Sequence, residues 1–296
     1  MARHPLFQLH LLVFVFASTA VLGHLLTLSA GATVVWRTLL ASIGGLLVVI
    51  ALRPRSEWIP WKKLPALLGV GVIVGLHWLC FFGAIHLANI SICLVGLATT
   101  SFFTAFTGPL LEKRPIQRIE VILGVVVFLG VAMVAGFEPG RISGLLVALC
   151  SAFLAAVFPV LNRRMVRDGL DPRVMVTWEM PGACAVCWIW MQATGQGNPP
   201  PLHGMDLLWM ALLAIVCTVF AHGYHIHLLR QLDVYTANLA VNLEPVYGIL
   251  AAAALFGEHR TLHPGFFVGA ATTIAANVAH PLLQRAVLRR KRVSPH

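Results

Sequence analysis

Ten long apolar segments limit what this chain can fold into more than any other feature. They cover residues 6–28, 31–52, 64–87, 89–111, 116–137, 142–162, 171–193, 205–229, 234–256 and 264–286. A helix needs about 20 apolar residues to cross a bilayer. Since lipid offers no partners for free backbone groups, we predict a helix for each segment. Of all residues, 58% are hydrophobic and 11% are charged, which excludes a disordered chain, a nucleic-acid-binding module and an ordinary cytosolic enzyme.

The basic residues are divided unequally between the two sets of loops. Eighteen Lys and Arg lie on the side of the N-terminus, and only Arg141 and Arg260 lie on the other side. Because basic residues favour the cytoplasmic side, we expect both termini to be cytoplasmic. This requires an even number of spans. The sequence therefore predicts an all-α, ten-helix, multi-pass protein of the cell inner membrane.

A weak internal repeat divides the chain into halves. The segment Glu112–Ile116 is similar to Glu258–Leu262, which lies 146 residues later. Five spans per copy is an odd number, so the second copy would enter the membrane inverted. We predict a first five-helix repeat at residues 1–137, a second, inverted repeat at 138–286, and a basic cytoplasmic tail at 287–296, with both repeats forming one transport domain. Inverted repeats are typical of secondary transporters, whose binding site lies near the middle of the membrane.

Three short motifs add a family resemblance. They are Trp36-Arg37-x-x-x-Ala41, Leu111-Glu112-Lys113-Arg114-Pro115, and Glu244-Pro245-Val246-Tyr247 running to Leu255-Phe256-Gly257-Glu258-x-Arg260. With the repeat and the charge distribution, the chain resembles the drug/metabolite transporter superfamily, and within it the ten-helix EamA-type exporters. It looks most like the YddG-type aromatic amino-acid exporters. The resemblance implies export, and a central cavity surrounded by spans one to four and six to nine, with spans five and ten behind. Unlike the small four-helix relatives, this chain has no acidic residue in span one.

Polar and aromatic residues near the middle of the spans are the candidate substrate-binding groups, because polar groups are costly in lipid. They are Ser18, His77, Trp78, Phe81, Thr100, Ser101, Phe158, Trp178, His222, His225 and Asn242. Alternatively, the hydroxyls bond their own backbone, the aromatics pack, and the histidines are paired interior groups. The histidines of span eight could instead respond to protons. Further metal ligands are not evident, so we predict no metal and no cofactor.

Charged residues and prolines inside the spans are candidates for coupling and gating. Arg37, Glu179 and Glu244 are the charges well inside the membrane. Arg37 and Glu244 lie at similar depth, so they could form a structural ion pair, while a carboxylate without a partner could carry protons. The prolines that could kink helices and act in gating are Pro109, Pro159, Pro181 and Pro245.

These features predict a secondary transporter that exports small organic metabolites by alternating access around a cavity. Amino acids, aromatic or otherwise neutral, are the favoured substrates, because only one basic residue lies within the spans. One alternative is a transporter of another class, such as nucleotide-sugars. The other is an integral-membrane enzyme acting on a lipid or prenyl substrate, which the sequence disfavours since it has no Asp-rich motif and no set of catalytic residues. The expected partners are a small-molecule substrate and the lipid bilayer, without nucleic acid, and we expect a monomer.

Overall fold

The structure, a computed structural model, describes residues 5–52, 58–113 and 115–293, with side chains as far as residue 279 except Leu239 and Asn277. All regular secondary structure in these ranges is helical. The helices are α1 (Pro5–Leu25), α2 (Ala30–Leu52), α3 (Leu64–Leu87), α4 (Ile90–Leu97), α5 (Thr100–Glu112), α6 (Arg118–Phe137), α7 (Ile142–Arg167), α8 (Pro172–Ala193), α9 (Met205–Ala211), α10 (Gly223–Leu228), α11 (Val234–Val241), α12 (Glu244–Phe256) and α13 (Pro264–Val293). A π-helical segment, Leu212–His222, joins α9 to α10, and 3₁₀ turns cover Pro139–Arg141 and Glu258–Arg260.

Eight helical segments of the described chain are long and apolar enough to cross a membrane, and they coincide with the first eight predicted segments. The last two predicted spans contain shorter apolar helices, Glu244–Phe256 and Pro264–Ala276. The chain is therefore a multi-pass integral membrane protein, while the count of ten spans remains a prediction. Part of the basic set that predicted the topology lies outside the described side chains, namely Arg3, Arg53, Arg55, Arg114, Arg285 and the tail at 287–296.

Two of the predicted spans are broken helices with matching boundaries. The first breaks between α4 and α5, and the second between α11 and α12, with each boundary 144 residues after its counterpart. Asn89 caps α4 and Asp233 caps α11 at the same separation. In this region the helix boundaries therefore place the repeats at an offset of 144 residues, rather than the 146 predicted from the motifs.

Local hydrogen bonding accounts for the first break. The hydroxyls of Thr99 and Thr100 donate to the carbonyls of Gly96 and Leu97, both at 2.6 Å. Such side-chain bonds compete with the helical ladder. In contrast, Pro109, a predicted kink, lies inside α5, which continues to Glu112.

The two broken helices run antiparallel. Glu258, just after α12, accepts hydrogen bonds from the backbone N–H groups of Ile90 and Ser91 at the start of α4, at 3.0 and 2.9 Å. In agreement, α4 packs against α12, and α5 packs against α11. This is the arrangement that two inverted repeats require.

Glycines allow two pairs of helices to approach closely. On α3, Gly71 and Gly75 face the backbone of Glu179 and Ala183 on α8, where a Cβ would overlap with those atoms. Gly269 of α13 similarly faces the backbone of α6. None of the described side chains of α6 and α13 lines the cavity described below, so these parts of the two helices lie behind the cavity-forming helices.

Candidate functional site

A central cavity lies where the two broken helices meet. Small-molecule sites in proteins are usually concave and lined mainly by apolar and aromatic side chains with a few polar groups, and this cavity has that kind of lining. Both repeats contribute to its wall. The lining residues are Phe16, Thr19, Arg37, His77, Trp78, Phe81, Leu97, Ala98, Thr100, Ala155, Phe158, Pro159, Cys217, His222, His225, Asn238, Val241, Asn242, Glu244 and Pro245.

Aromatic rings form much of this wall. Phe158 of α7 lies 5.5 Å from the ring of His77 and 5.8 Å from that of His222, measured between centroids. Trp78 lies edge-on to His222 at 5.9 Å. Phe81 and Phe16 complete the aromatic lining. An aromatic surface of this kind favours a solute with an apolar part.

Arg37 is the basic group of the cavity. Its Cζ lies 3.8 Å from the centroid of the Trp78 ring, a cation–π contact. Its Nε donates to Thr218 Oγ1 at 2.8 Å, while its buried Nη1 has no hydrogen-bond partner. Thr218 can accept this bond because its own hydroxyl hydrogen goes to the carbonyl of Leu213, five residues earlier in the π-helical segment. The wall therefore contains a buried, fixed guanidinium whose Nη1 lacks a partner among the described residues.

Glu244 is the acidic group of the cavity. It is buried in the first turn of α12, where the positive end of the helix dipole stabilises a carboxylate. Arg37 donates to Thr218 rather than to Glu244 within the described part of the chain. The cavity wall thus holds one guanidinium and one carboxyl group, with no hydrogen bond between them among the described residues.

His77 is held by a reciprocal pair of bonds with α7. Its Nδ1 lies 2.9 Å from the carbonyl oxygen of Ser151, and Ser151 Oγ donates to the carbonyl of His77 at 3.0 Å. A carbonyl can only accept, so Nδ1 carries the hydrogen. In a neutral ring this leaves Nε2 as an acceptor.

A second polar cluster extends away from the cavity behind His222. His222 Nε2 lies 3.2 Å from Glu179 Oε2, and Asn162 Nδ2 donates to the same oxygen at 3.5 Å. Glu179 itself does not line the cavity. In the part of the chain that the structure describes, two acceptors of this cluster, Glu179 Oε1 and Asn162 Oδ1, have no hydrogen-bond partner, and neither has Nε2 of His225.

The sequence matches the model of the EamA-like transporter family twice, over residues 5–136 and 142–278. The two matches cover most of the chain. The chain belongs to the EamA-like transporter family. It is therefore a membrane transporter of small molecules, built from two EamA repeats.

A solved crystal structure has the same fold. It aligns over 96% of this chain and 97% of its own, with a TM-score of 0.64 and 16% sequence identity. Identity this low shows the fold alone. No curated protein sequence matches the transporter.

Most of the predicted binding residues of the transporter line the cavity, and three do not. Ser18 Oγ donates to the carbonyl of Val15 at 2.7 Å, and Trp178 Nε1 donates to the carbonyl of Trp58 at 2.8 Å. Ser101 Oγ lies 3.4 Å from the carbonyl of Ala98. For the two serines this matches the alternative reading, in which hydroxyls bond their own backbone. Of the predicted coupling and gating residues, Arg37, Glu244, Pro159 and Pro245 line the cavity. Glu179, Pro109 and Pro181 are not among the described lining residues.

Sequence reasoning missed several residues of the wall. Asn238 carried a usable signal, since it lies one helical turn before Asn242, and its Nδ2 donates to Thr104 Oγ1 at 2.8 Å across the two broken helices. The apolar residues of the wall carried no such signal, because only the tertiary packing decides which apolar residues of a span face the cavity. The missed residues are Phe16, Thr19, Leu97, Ala98, Ala155, Cys217, Asn238 and Val241.

Proposed function

We propose that this EamA-like transporter exports small zwitterionic organic solutes, foremost aromatic or other neutral amino acids. The observation that supports this most is the pair of charges in the aromatic cavity. The guanidinium of Arg37 has a spare donor, and the carboxylate of Glu244 lies on the same wall without pairing with it. An amino acid carries a carboxylate, an ammonium group and a side chain, and the wall offers a counterpart to each.

The proposed recognition uses both charges and the rings. The solute carboxylate would bind Arg37, which lines the same cavity as Thr100 at the N-terminal end of α5, where backbone N–H groups favour an anion. The ammonium group would bind Glu244. The solute side chain would pack between Trp78 and Phe158. A phosphate ester calls for more than one basic group, which makes nucleotide-sugars a poorer fit.

The antiparallel broken helices support an alternating-access mechanism. Discontinuous helices that meet at the binding site are typical of secondary transporters. Contacts link distant segments at both ends of the bundle. At one end Glu258 holds the start of α4. At the other, Arg163 pairs with Glu112 and donates to the carbonyl of Leu232 at 3.1 Å. We propose that these two sets of contacts break in turn as the cavity opens to each side.

Counterflow of labelled phenylalanine in proteoliposomes tests the proposal. Three ligands compete in the assay: phenylalanine, phenethylamine, which lacks the carboxylate, and phenylpropionate, which lacks the ammonium group. Truncating one partner of a buried charge pair costs about 2 kcal/mol or more, which corresponds to about 30-fold in affinity. Arg37→Gln is expected to weaken the binding of phenylalanine by at least that factor and to leave the affinity for phenethylamine unchanged. Glu244→Gln is also expected to weaken the binding of phenylalanine, but to leave the affinity for phenylpropionate unchanged.

The matched control is Glu120→Gln, which changes a buried carboxylate of α6 outside the cavity lining. It is expected to behave as the wild type does. An equal loss of affinity for all three ligands in both Arg37→Gln and Glu244→Gln would contradict the proposed recognition. An absence of counterflow with every amino acid would reject amino acids as the substrate class.

We further propose the predicted topology, with ten spans and both termini on the cytoplasmic side of the inner membrane. The eighteen-to-two division of basic residues between the loops supports it. A fluorescent protein that folds only in the cytoplasm, fused to the C-terminus, is expected to fluoresce. A periplasmic phosphatase at the same position should be inactive, and the reverse pair of results would reject the topology.

A further inference from the structure

The polar cluster behind His222 has the composition of an ion-binding site inside the membrane. We propose that Glu179 and His222 together bind one proton and exchange it for solute, so that transport is driven by a proton gradient. This inference rests on the proposed transport function, and it assigns a coupling site in spans seven and eight that is separate from the solute charges Arg37 and Glu244.

Unsatisfied hydrogen bonding is the first argument. The side chain of Glu179 is fully buried, yet from the described residues it receives only the contact with His222 at 3.2 Å and a long bond from Asn162 at 3.5 Å, both on Oε2. Oε1 of Glu179 and Oδ1 of Asn162 are left without a donor. A purely structural carboxylate in lipid is expected to have its acceptors satisfied. Two spare acceptors indicate instead a group that gains a hydrogen in another state.

Position is the second argument. His222 lines the cavity and Glu179 does not, so the imidazole separates the carboxylate from the water-accessible space. With Glu179 ionised and the ring neutral, the 3.2 Å contact requires the hydrogen on His222 Nε2, which leaves Nδ1 as an acceptor. A proton from cavity water adds to Nδ1, and the Nε2 proton then passes to Glu179. The imidazole ends neutral with its hydrogen on Nδ1, the carboxyl is neutral, and the pair has gone from charge −1 to zero. Release follows the same steps in reverse.

The surroundings of the pair are the third argument. Trp78 and Phe158 flank the His222 ring at 5.9 and 5.8 Å, and limit its contact with water. The titratable and charged groups that face the pair or share its cavity come from the neighbouring helices. They are Arg37 on α2, His77 on α3, Cys217 on the π-helical segment, His225 on α10 and Glu244 on α12.

These charges make the affinity for the solute depend on whether the Glu179–His222 pair holds a proton. With neutral histidines, Arg37 and the two carboxylates give the site a net negative charge, which favours the ammonium group of a solute. Protonation of the pair removes that negative charge and weakens solute binding. Proton and solute therefore compete, which is the requirement for exchange in opposite directions.

The test compares gradient-driven uptake with gradient-free exchange in the same proteoliposomes. Exchange of one proton for one zwitterion moves one charge, so the membrane potential is held at zero with potassium and valinomycin. Under that condition an inside-acid gradient of one pH unit should accumulate labelled phenylalanine about tenfold. Glu179→Gln is expected to lose this accumulation. It should still show counterflow, with a raised half-saturating concentration of phenylalanine, because it fixes the pair in the neutral form and leaves Arg37 and Glu244 in place. Glu120→Gln should retain both. Tenfold accumulation by Glu179→Gln would overturn the proposal, and so would a wild type that shows counterflow without any response to the gradient.

Two additions keep the test decisive. If Glu179→Gln does not fold, His222→Gln replaces it, since it removes the relay and leaves the carboxylate, and retained accumulation would again overturn the proposal. If no amino acid shows counterflow, the proposed substrate fails, and the proton site is tested alone by infrared difference spectra of the protein between acid and neutral pH. Bands of carboxyl or imidazole groups that disappear in Glu179→Gln but not in Glu120→Gln support it. Identical spectra in all three proteins would overturn it.

Discussion

Replacing Glu258 with alanine is expected to destabilise the transporter strongly, because this buried carboxylate of the second repeat accepts three hydrogen bonds from the first. It accepts bonds from Ile90 N and Ser91 N, at 3.0 and 2.9 Å, and from Ser91 Oγ at 2.6 Å. It is buried, and it supplies the start of α4 with hydrogen-bond acceptors from the far half of the chain. In the variant two backbone donors lose their partners at a buried helix end.

The size of the effect follows from those donors. An unsatisfied buried donor costs about 1–3 kcal/mol. The Ser91 hydroxyl can turn to a local carbonyl, so two N–H groups set the loss, and the nearby membrane surface lets water recover part of it. We expect about 3 kcal/mol. At about 2–4 °C for each kcal/mol in a chain of this size, Tm falls by about 6–12 °C.

The assay is thermal unfolding of the purified protein in detergent, followed by loss of the monodisperse peak. Arg260→Ala, two residues away and exposed, is the control and should change stability by less than about 0.5 kcal/mol. Glu258→Gln keeps one acceptor oxygen and should fall between the two. A Tm of Glu258→Ala within about 2 °C of the wild type would refute the capping argument.

Three further predictions use the same thermal assay. Gly182→Ala should prevent stable folding, because its Cβ would overlap the backbone of α3, whereas Gly136→Ala, where the space is open, should be tolerated; equal behaviour would contradict the close contact. Partial burial raises the pKa of the Asp171 carboxyl, but hydrogen bonds and charge from Arg173 outweigh it and hold that pKa below its usual value. Asp171→Asn should therefore lower Tm at neutral pH. The difference in Tm between the wild type and the variant should disappear as the pH falls below about 4. A difference in Tm that grows in acid would contradict a lowered pKa of Asp171. Lys63→Ala removes an exposed ion pair and should cost less than about 0.5 kcal/mol, which a Tm shift above a few degrees would disprove.

The sequence predicts the helical segments well, because lipid forces long apolar stretches into helices whatever their neighbours are. It does not predict where the broken helices break. Pro109 is the obvious helix breaker of span four, yet α5 continues through it, and the break occurs where Thr99 and Thr100 bond their own backbone. Whether a threonine makes that bond depends on its packing in the fold.

Some residues of the candidate site can likewise be predicted from the sequence. His77, Trp78 and His222 are recognisable as unusual residues for the middle of a membrane. Their partners are not, since Glu179 lies 43 residues from His222 along the chain, and Thr218 lies 181 residues from Arg37. Those pairings exist only after the helices pack.

Photo-crosslinking with an azido derivative of phenylalanine tests most directly whether solute occupies the cavity between the two repeats. Peptide mapping should place the label on cavity-lining segments of both halves, around Phe81 and around Phe158, and excess unlabelled phenylalanine should prevent it. Label confined to the lipid-facing surface, or label that unlabelled phenylalanine does not displace, would contradict the account.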